Sequence, residues 1–565
     1  MLKRFISILQ DFSRLIWRSS LYQRILFFAV TLITVFIMGY YFGTFDQAIH
    51  IPFLKKFADP TLFPNDPFFD LRFHHYSYFW FLFVPFQKLG ILEITMFLVY
   101  LAVVYLTFWA LWKLSKTLFN DPLTSVITII TSIFPHLAFA GFTVFQFSLL
   151  NRSFVLPFLL LAIDFYLNRK YVVAFLLLGL MYNIHVISVN FVIFMFLFDS
   201  LLQIKRIGWK KVIVHMSLFV LAAFPVLIWK MGGSPVQFSA NKEWFDVINK
   251  SMMHFIFNLV SSDPMTLLLT LGGIASVVIF FFAESRLSEV RFNITVKNFV
   301  YSLLLVLLVS IFTTYFYPSV IIIQSQIIRA GLFILIFSYL YITRYFVKIY
   351  QSKSINESGF FVFLTALTFS LTPLILLTTL LIYKYFKSKY WTYLNLALTV
   401  LSFSLLMLLS LKLQIWRPGI YISPEPTPEY DVEIWAKNNT PKNALFITPP
   451  YKWWFFTPEW RAISERSTVI TLYDQLEFAF APQYLGRWKN RFKDIAPGAL
   501  EQFDGNVFKS ITITKEAFYS RTEEHFKQIA QKYGASYLLV EKPFRYDFPI
   551  VYENGEFTLY DLRSL

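Results

Sequence analysis

Apolar residues arrive in blocks about as long as a bilayer core is thick. Residues 22–42, 91–112, 212–229, 265–283, 298–316, 327–343 and 390–411 form the clearest blocks, each close to the ~20 residues a transmembrane helix needs. Two further apolar stretches are interrupted. Residues 171–203 split near Tyr182-Asn183-Ile184-His185 into two short arms, read as two short spans. Residues 359–383 carry Pro373 in mid-run, and read as a broken, re-entrant hairpin covered by neighbouring helices. The first block is long and lacks a small-residue cleavage site, so it reads as a retained first helix. About 11–13 spans are expected.

After residue 416 the pattern changes. Residues 430–438 suit a helix and residues 444–448 a strand ending at Pro449-Pro450. Ser520-Arg521-Thr522-Glu523 reads as a capping box, and its helix would stop near Gly534. A strand at 537–541 follows, then two short strands flanking Asn554-Gly555, a hairpin signal. The fold class is therefore a polytopic α-helical membrane protein, residues 1–416, with a small C-terminal α/β soluble domain, residues 417–565.

Composition agrees with this division. The chain of 565 residues is 57% hydrophobic, 20% aromatic and only 15% charged, against about 25% charged in soluble domains. It has no cysteine, which excludes disulfides and thiolate chemistry. The net charge of +16 is unevenly placed: residues 1–416 hold 32 Lys+Arg against 15 Asp+Glu, and residues 417–565 hold 18 against 19. The tail is thus neutral, and nothing favours a nucleic-acid partner. Lys3, Arg4, Arg14, Arg18 and Arg24 face only Asp11 at the N-terminus, which places that end in the cytoplasm by the positive-inside rule. The basic loops at Lys113/Lys116, Lys205/Arg206 and Arg344/Lys348 should share its side. Two loops then face outward: 43–75, rich in Asp and His, and 230–263, partly amphipathic and suited to the membrane surface. The tail is extracytoplasmic if 359–383 is a hairpin.

Candidate chemistry concentrates in these outward segments. Asp46 follows the first helix on a short tether. It reads either as a general base for a hydroxyl nucleophile or as a plain N-cap of a helix at 47–57. Asp66, Asp70, His74 and His75 offer oxygen and imidazole ligands for a divalent cation, Mg or Mn, although Asn65-Asp66-Pro67 is also turn chemistry. Arg152 and Arg329 lie on the outward side, where a guanidinium fork matches phosphate oxygens; the competing reading is snorkelling to headgroups. Gln326 and His185 could line the same space, and His185 with Asn183 equally suits a buried polar pair. Asp164 and Asp199 read as local partners of Arg169/Lys170 and Lys205/Arg206, and His136 and His215 as structural. Trp453, Trp454, Trp460 and Arg461 suit either sugar stacking or an interfacial anchor.

A basic N-terminus, one helix, and a long outward loop opening on Phe45-Asp46-Gln47 resemble the GT-C superfamily. The tail stretch EIWAKNNTPKNALFITPP, followed by Arg461 and SERS at 464–467, is similar to the periplasmic tails of uncharacterised bacterial members. The resemblance implies a membrane glycosyltransferase using a polyprenyl-phosphate sugar donor in the bacterial inner membrane. It implies Asp46 as the catalytic acid of the first outward loop, and a glycan, lipid or protein acceptor. The chain departs from several branches in having no Asp-x-Asp or Asp-Glu pair after the first helix. Two other functions stay open at this level: a non-catalytic envelope assembly factor on the same fold, and a lipid or glycan transporter.

Overall fold

The computed structural model describes residues 2–64, 66–233, 240–251, 264–385, 389–452 and 457–564, without the side chains of Arg72, Phe73 and Lys389. Among these, seven helices are long and apolar enough to cross a membrane: Ser20–Met38, Leu92–Phe119, Trp209–Met231, Pro264–Glu284, Asn293–Tyr315, Ile327–Gln351 and Tyr390–Lys412. Shorter apolar helices fill the bundle between them, including Tyr171–Tyr182, Val186–Leu202, Glu357–Phe369 and Pro373–Tyr385. The protein is an integral membrane protein. Both interrupted stretches are broken helices, as their sequences imply. Residues 183–185 separate one pair of short helices, and Ser370–Thr372 separates the other just before Pro373, whose ring nitrogen has no N–H to donate to the Phe369 carbonyl of a continuing helix.

The helix Leu2–Arg18 (α1) is a feature that the apolar-block reading passes over. It buries Ile6, Leu9, Ser13 and Ile16 on one stripe and exposes Phe5, Ile8, Phe12 and Leu15. Ser19 caps the next helix, Ser20–Met38 (α2), so α1 and α2 are separate elements. The Lys116 ammonium lies 4.7 Å over the Trp17 ring, and Lys3 reaches Glu357. The N-terminus and these loops therefore gather at one end of the bundle.

At the opposite end of α2 the chain forms a short parallel ladder. Strand β1 (Tyr40–Tyr41) pairs with β2 (Ile420–Tyr421), which follows the last membrane helix. Gly39, at φ +83°, makes this possible: a side chain there would collide with the Arg417 carbonyl. The first loop and the tail thus leave the membrane on the same side.

The tail carries a five-stranded sheet of order β4-β3-β5-β7-β6, built from β3 (Leu445–Ile447), β4 (Ser467–Thr468), β5 (Tyr537–Glu541), β6 (Ile550–Glu553) and β7 (Phe557–Asp561). The pairs β3/β4 and β3/β5 are parallel; β5/β7 and β6/β7 are antiparallel, the last with a bulge between Ile550 and Tyr552. The helix after Ser520 starts two residues later than expected. Thr522 is its N-cap and His525 completes the capping box, because these two groups meet reciprocally. Gly534, at φ +71°, ends it.

The tail core is shared with both long loops. Ala48, Ile49, Phe53, Phe63 and Phe68 of the first loop pack in one cluster with Leu445, Tyr473, Trp488 and Phe492. The helix Lys242–Ser251 joins the same cluster through Trp244, Val247 and Ile248, and the Trp244 indole donates to the Phe478 carbonyl at 2.8 Å. Its apolar stripe therefore covers the tail and not the bilayer surface, a correction to the amphipathic reading of 230–263. Residues 234–239 and 252–263 of that loop lie outside the described residues.

The intramembrane polar residues also find partners. Asp164 accepts from Thr117 at 2.5 Å and Asn168 at 3.3 Å, and Asp199 from Asn298 at 2.8 Å and Tyr166 at 2.9 Å. Hydroxyls and amides replace the local cations expected for them, because they satisfy the carboxylate lone pairs without burying a second charge. Asn183 ties two helices, donating to the Ala222 carbonyl at 2.8 Å and accepting from the Val226 amide at 3.0 Å. His136 bonds the Ser370 and Thr131 carbonyls, and His215 stacks on Phe175; both serve packing.

Candidate functional site

Three segments meet where α2 ends. The Tyr41 amide donates to the Phe147 carbonyl at 2.8 Å. The Gln47 amide, fully buried, accepts from the Gly43 backbone and donates to the Leu149 carbonyl, both at 2.8 Å. These bonds fasten the first loop to the start of the helix Asn151–Leu167. Phe45 takes a left-handed conformation, φ +55°, uncommon for an aromatic residue. Its carbonyl accepts the Tyr473 hydroxyl of the tail at 2.5 Å. The turn presents Asp46 at the head of the helix Gln47–Ala58 (α3).

The Asp46 side chain does not cap α3. It forms an ion pair with Arg152, whose second nitrogen donates to Gln146 at 3.0 Å. The pair is largely enclosed: the Arg152 and Asp46 side chains are 12% and 25% exposed. Arg152 occupies the first turn of its helix, a position that disfavours a cation, so its placement is set by the carboxylate. Arg329 comes from a 3-10 turn, Ile327–Ala330, that opens after Gln326 at φ +44°. Its guanidinium lies 4.6 Å over the Phe142 ring. Among the described residues, the Nε groups of both arginines and the Gln326 amide oxygen are buried without a hydrogen-bond partner. Arg152, Arg329, Gln146, Phe142 and Ser188 line a common cavity of about 40 Å³. His185 bonds Ser188 at 2.8 Å and caps the helix Val186–Leu202; Arg329, Arg152 and Asp46 act on it electrostatically. The structure therefore brings together Asp46, Arg152, Arg329 and His185.

His50 joins the group. It lies one turn beyond Asp46 on α3, where residues four apart share a face, a spacing that was visible in the sequence. Its ring stacks on Trp80 at 4.6 Å and meets His75 edge-on at 5.2 Å. Burial, then His75 and Arg152, push the His50 imidazole down to about 3, so it is neutral. Burial alone would raise the Asp46 carboxyl, but Arg152 and Arg329 outweigh it and hold the carboxyl below its ordinary value. With Asp46 ionised and both arginines charged, the site carries one uncompensated positive charge.

The four residues expected to hold a divalent cation separate into different contacts. Asp66 accepts from Arg461 Nε at 2.6 Å, Asp70 pairs with Arg487 on the surface, His74 meets Gln483, and His75 bonds Glu477 at 2.7 Å. Among the described residues no three His, Asp or Glu side chains gather as a metal set. These side chains do not fit the oxygen-rich shell a hard divalent ion requires.

Arg461 corrects another expectation. It is 1% exposed and contacts three carboxylates: Asp66, Asp474 in a two-pronged pair at 2.8 and 3.0 Å, and Glu459 at 3.0 Å. It is an interior strut between the first loop and the tail, and Trp460 beside it is buried against Phe446. Neither is a surface anchor; Trp453 and Trp454 lie outside the described residues. Burial pushes the Glu459 carboxyl from 4.5 up to about 8 against the pull of Arg461. The folded protein then keeps a proton that the unfolded chain releases near 4.5. Stability is expected to fall as pH rises between about 4.5 and about 8. Melting temperatures across that window test this: the wild type should lose more than Glu459→Gln, and parallel curves would refute it.

Residues 428–495 match a family described as a domain of unknown function, DUF6798. That segment includes Glu459, Arg461, Asp474 and Glu477. Curated protein sequences give no match. Among solved structures, the chain is similar to ArnT from Cupriavidus metallidurans in its apo state, at 11% identity and a TM-score of 0.43, covering 95% of this chain and 97% of that one.

Proposed function

We propose that the protein is a membrane glycosyltransferase that moves a sugar from a polyprenyl-phosphate donor to an acceptor on the tail side of the membrane. The observation that carries this reading is the pair of enclosed guanidiniums on one cavity, one of them ion-paired to Asp46 and each with an Nε that has no partner among the described residues. Buried cations without full compensation are costly, and an incoming phosphate supplies the missing charge in a geometry that arginine matches. The acceptor hydroxyl attacks the anomeric carbon. The bond from that carbon to the phosphate oxygen breaks, and its electron pair stays on the phosphate, held by Arg152 and Arg329. The hydroxyl proton passes to Asp46. Direct displacement inverts the anomeric centre. The donor also draws Arg152 away from Asp46, which restores basicity to the carboxylate when it is needed. Gln326 and His185 are polar contacts to the headgroup. In this reading the basic N-terminal end is cytoplasmic, the tail lies outside the cytoplasm of a bacterial plasma membrane, and the acceptor is an envelope glycan, lipid or protein.

One observation favours a second reading, a non-catalytic assembly factor. The cavity, at about 40 Å³, has room for two or three waters and admits a sugar only if side chains move. Donor binding discriminates. In the purified protein, Arg329→Gln is expected to weaken binding of a polyprenyl-phosphate sugar by about 10–100-fold, the value of a charge-assisted hydrogen bond. Native mass spectrometry measures it, and unchanged binding would remove the phosphate clamp.

A further inference from the structure

A second concave site lies in the tail, away from the Asp46–Arg152 pair. The helix Leu485–Ile495 buries Leu485, Trp488, Phe492 and Ile495 and turns its other residues outward. With Pro67 of the first loop and the end of the helix Glu523–Tyr533, it borders an open groove of about 490 Å³, within the size range of ligand sites. Arg487, Arg491, Lys493 and Lys532 line it, with Asp494 as the acid among its lining residues. The tail as a whole is balanced, with 18 basic and 19 acidic residues, so four cations to one acid is a local concentration.

The one acid is already engaged. Asp494 accepts from Lys532 at 2.6 Å and the Tyr533 hydroxyl at 2.5 Å. Arg491 is held in place by the Val469 carbonyl at 2.9 Å, with its guanidinium 4.8 Å over the Tyr533 ring. Among the described residues Arg487 pairs with solvent-exposed Asp70, a kind of pair worth little and readily exchanged. Cations that can be redirected suit an anion, while the Asn490 amide and the Tyr533 hydroxyl suit a ligand rich in hydroxyls.

We propose that this groove binds an acidic saccharide, a sugar chain carrying carboxylate or phosphate groups. Resting on the proposed function, it is the dock for the acceptor, held by the tail while its end reaches the membrane site.

Binding to the purified full chain, measured by calorimetry without any donor, tests the proposal. Oligogalacturonate is the acidic probe, maltohexaose the neutral one, and inorganic pyrophosphate the bare anion. Oligogalacturonate should bind most tightly, weaken with added salt, and lose at least about tenfold in affinity in Arg487→Glu/Lys493→Glu. Both changes are at exposed positions, and an unchanged melting temperature confirms folding. Equal binding of maltohexaose, equal or tighter binding of pyrophosphate, or unaltered affinity in the double variant each overturns it. Asp46→Asn should bind the probe as the wild type does, so failure of the catalytic reading and failure of this one are told apart.

Discussion

Replacing Asp46 with Asn is expected to lower the sugar-transfer rate by a factor of about 10²–10⁴, the usual worth of a positioned general base, without weakening donor binding. The substitution preserves shape and removes only the charge and the proton-accepting oxygen. Helix α3 loses no cap, because the Asp46 side chain makes none. Arg152 loses its main partner and becomes freer to meet phosphate, so donor affinity should hold or increase. The signature is therefore a split: kcat falls while the donor KM does not rise. Steady-state transfer to a fixed acceptor measures both. A variant with retained kcat would remove Asp46 from the chemistry. A variant whose donor KM rises in step would recast Asp46 as part of the binding scaffold.

Arg461→Met should cost about 3–5 kcal/mol of stability, because it strands buried carboxylates whose ion pairs, among the described residues, all run to Arg461. Asp66, Asp474 and Glu459 all lean on the one guanidinium. Glu459 already tends toward its neutral form, so the burden falls on the two aspartates. The loss should appear as earlier unfolding of the tail in denaturant, together with faster proteolysis of the first loop, which the strut joins to it. Adding Asp66→Asn and Asp474→Asn to the Met variant should recover part of the loss, since a neutral interior of similar shape is tolerated where a half-paired one is not. A cost below about 1 kcal/mol, the range of exposed pairs, would show that the strut contributes nothing beyond a surface contact.

The elements that repeat locally were legible from the chain. Membrane helices follow from runs of apolar residues, and the breaks at 183–185 and before Pro373 follow from polar and proline chemistry. The strand at Tyr537–Glu541 and the Gly534 stop are equally local. In the site, the isolation of Asp46, Arg152 and Arg329 among apolar neighbours marked them, because an ionisable group beside a bilayer needs a reason to be there. What could not be read was pairing at a distance. Nothing near Asp66 announces Arg461, and turn chemistry and ligand chemistry look alike until the partner is known. Arg461 likewise suited a surface cluster because Asp66 and Asp474 come from other segments, and Glu459 alone, two residues away, does not mark a buried cation. The helix Leu2–Arg18 escaped for another reason: its apolar stripe is diluted by charged residues, so no block of the membrane-spanning length forms. His50 was visible at the right spacing, but an imidazole four residues from a carboxylate carries no signal until Trp80 and His75 close around it.

The contact between Arg461 and Asp66 spans 395 residues of chain, and this sets a timetable for biosynthesis. At about 5–20 residues per second, a bacterial or eukaryotic ribosome takes roughly 20–80 s to travel from one residue to the other. Throughout that interval the first loop has its contacts to Phe147, Leu149 and Arg152 within reach but lacks those to the tail, and Asp66 remains hydrated. The Asp66 end of the loop therefore cannot seed folding. It waits for the last-made part of the protein, and the Tyr473 bond that fixes the turn before Asp46 forms only then. A chain truncated ahead of the tail would carry the seven long apolar helices and still lack the bond that sets the turn before Asp46.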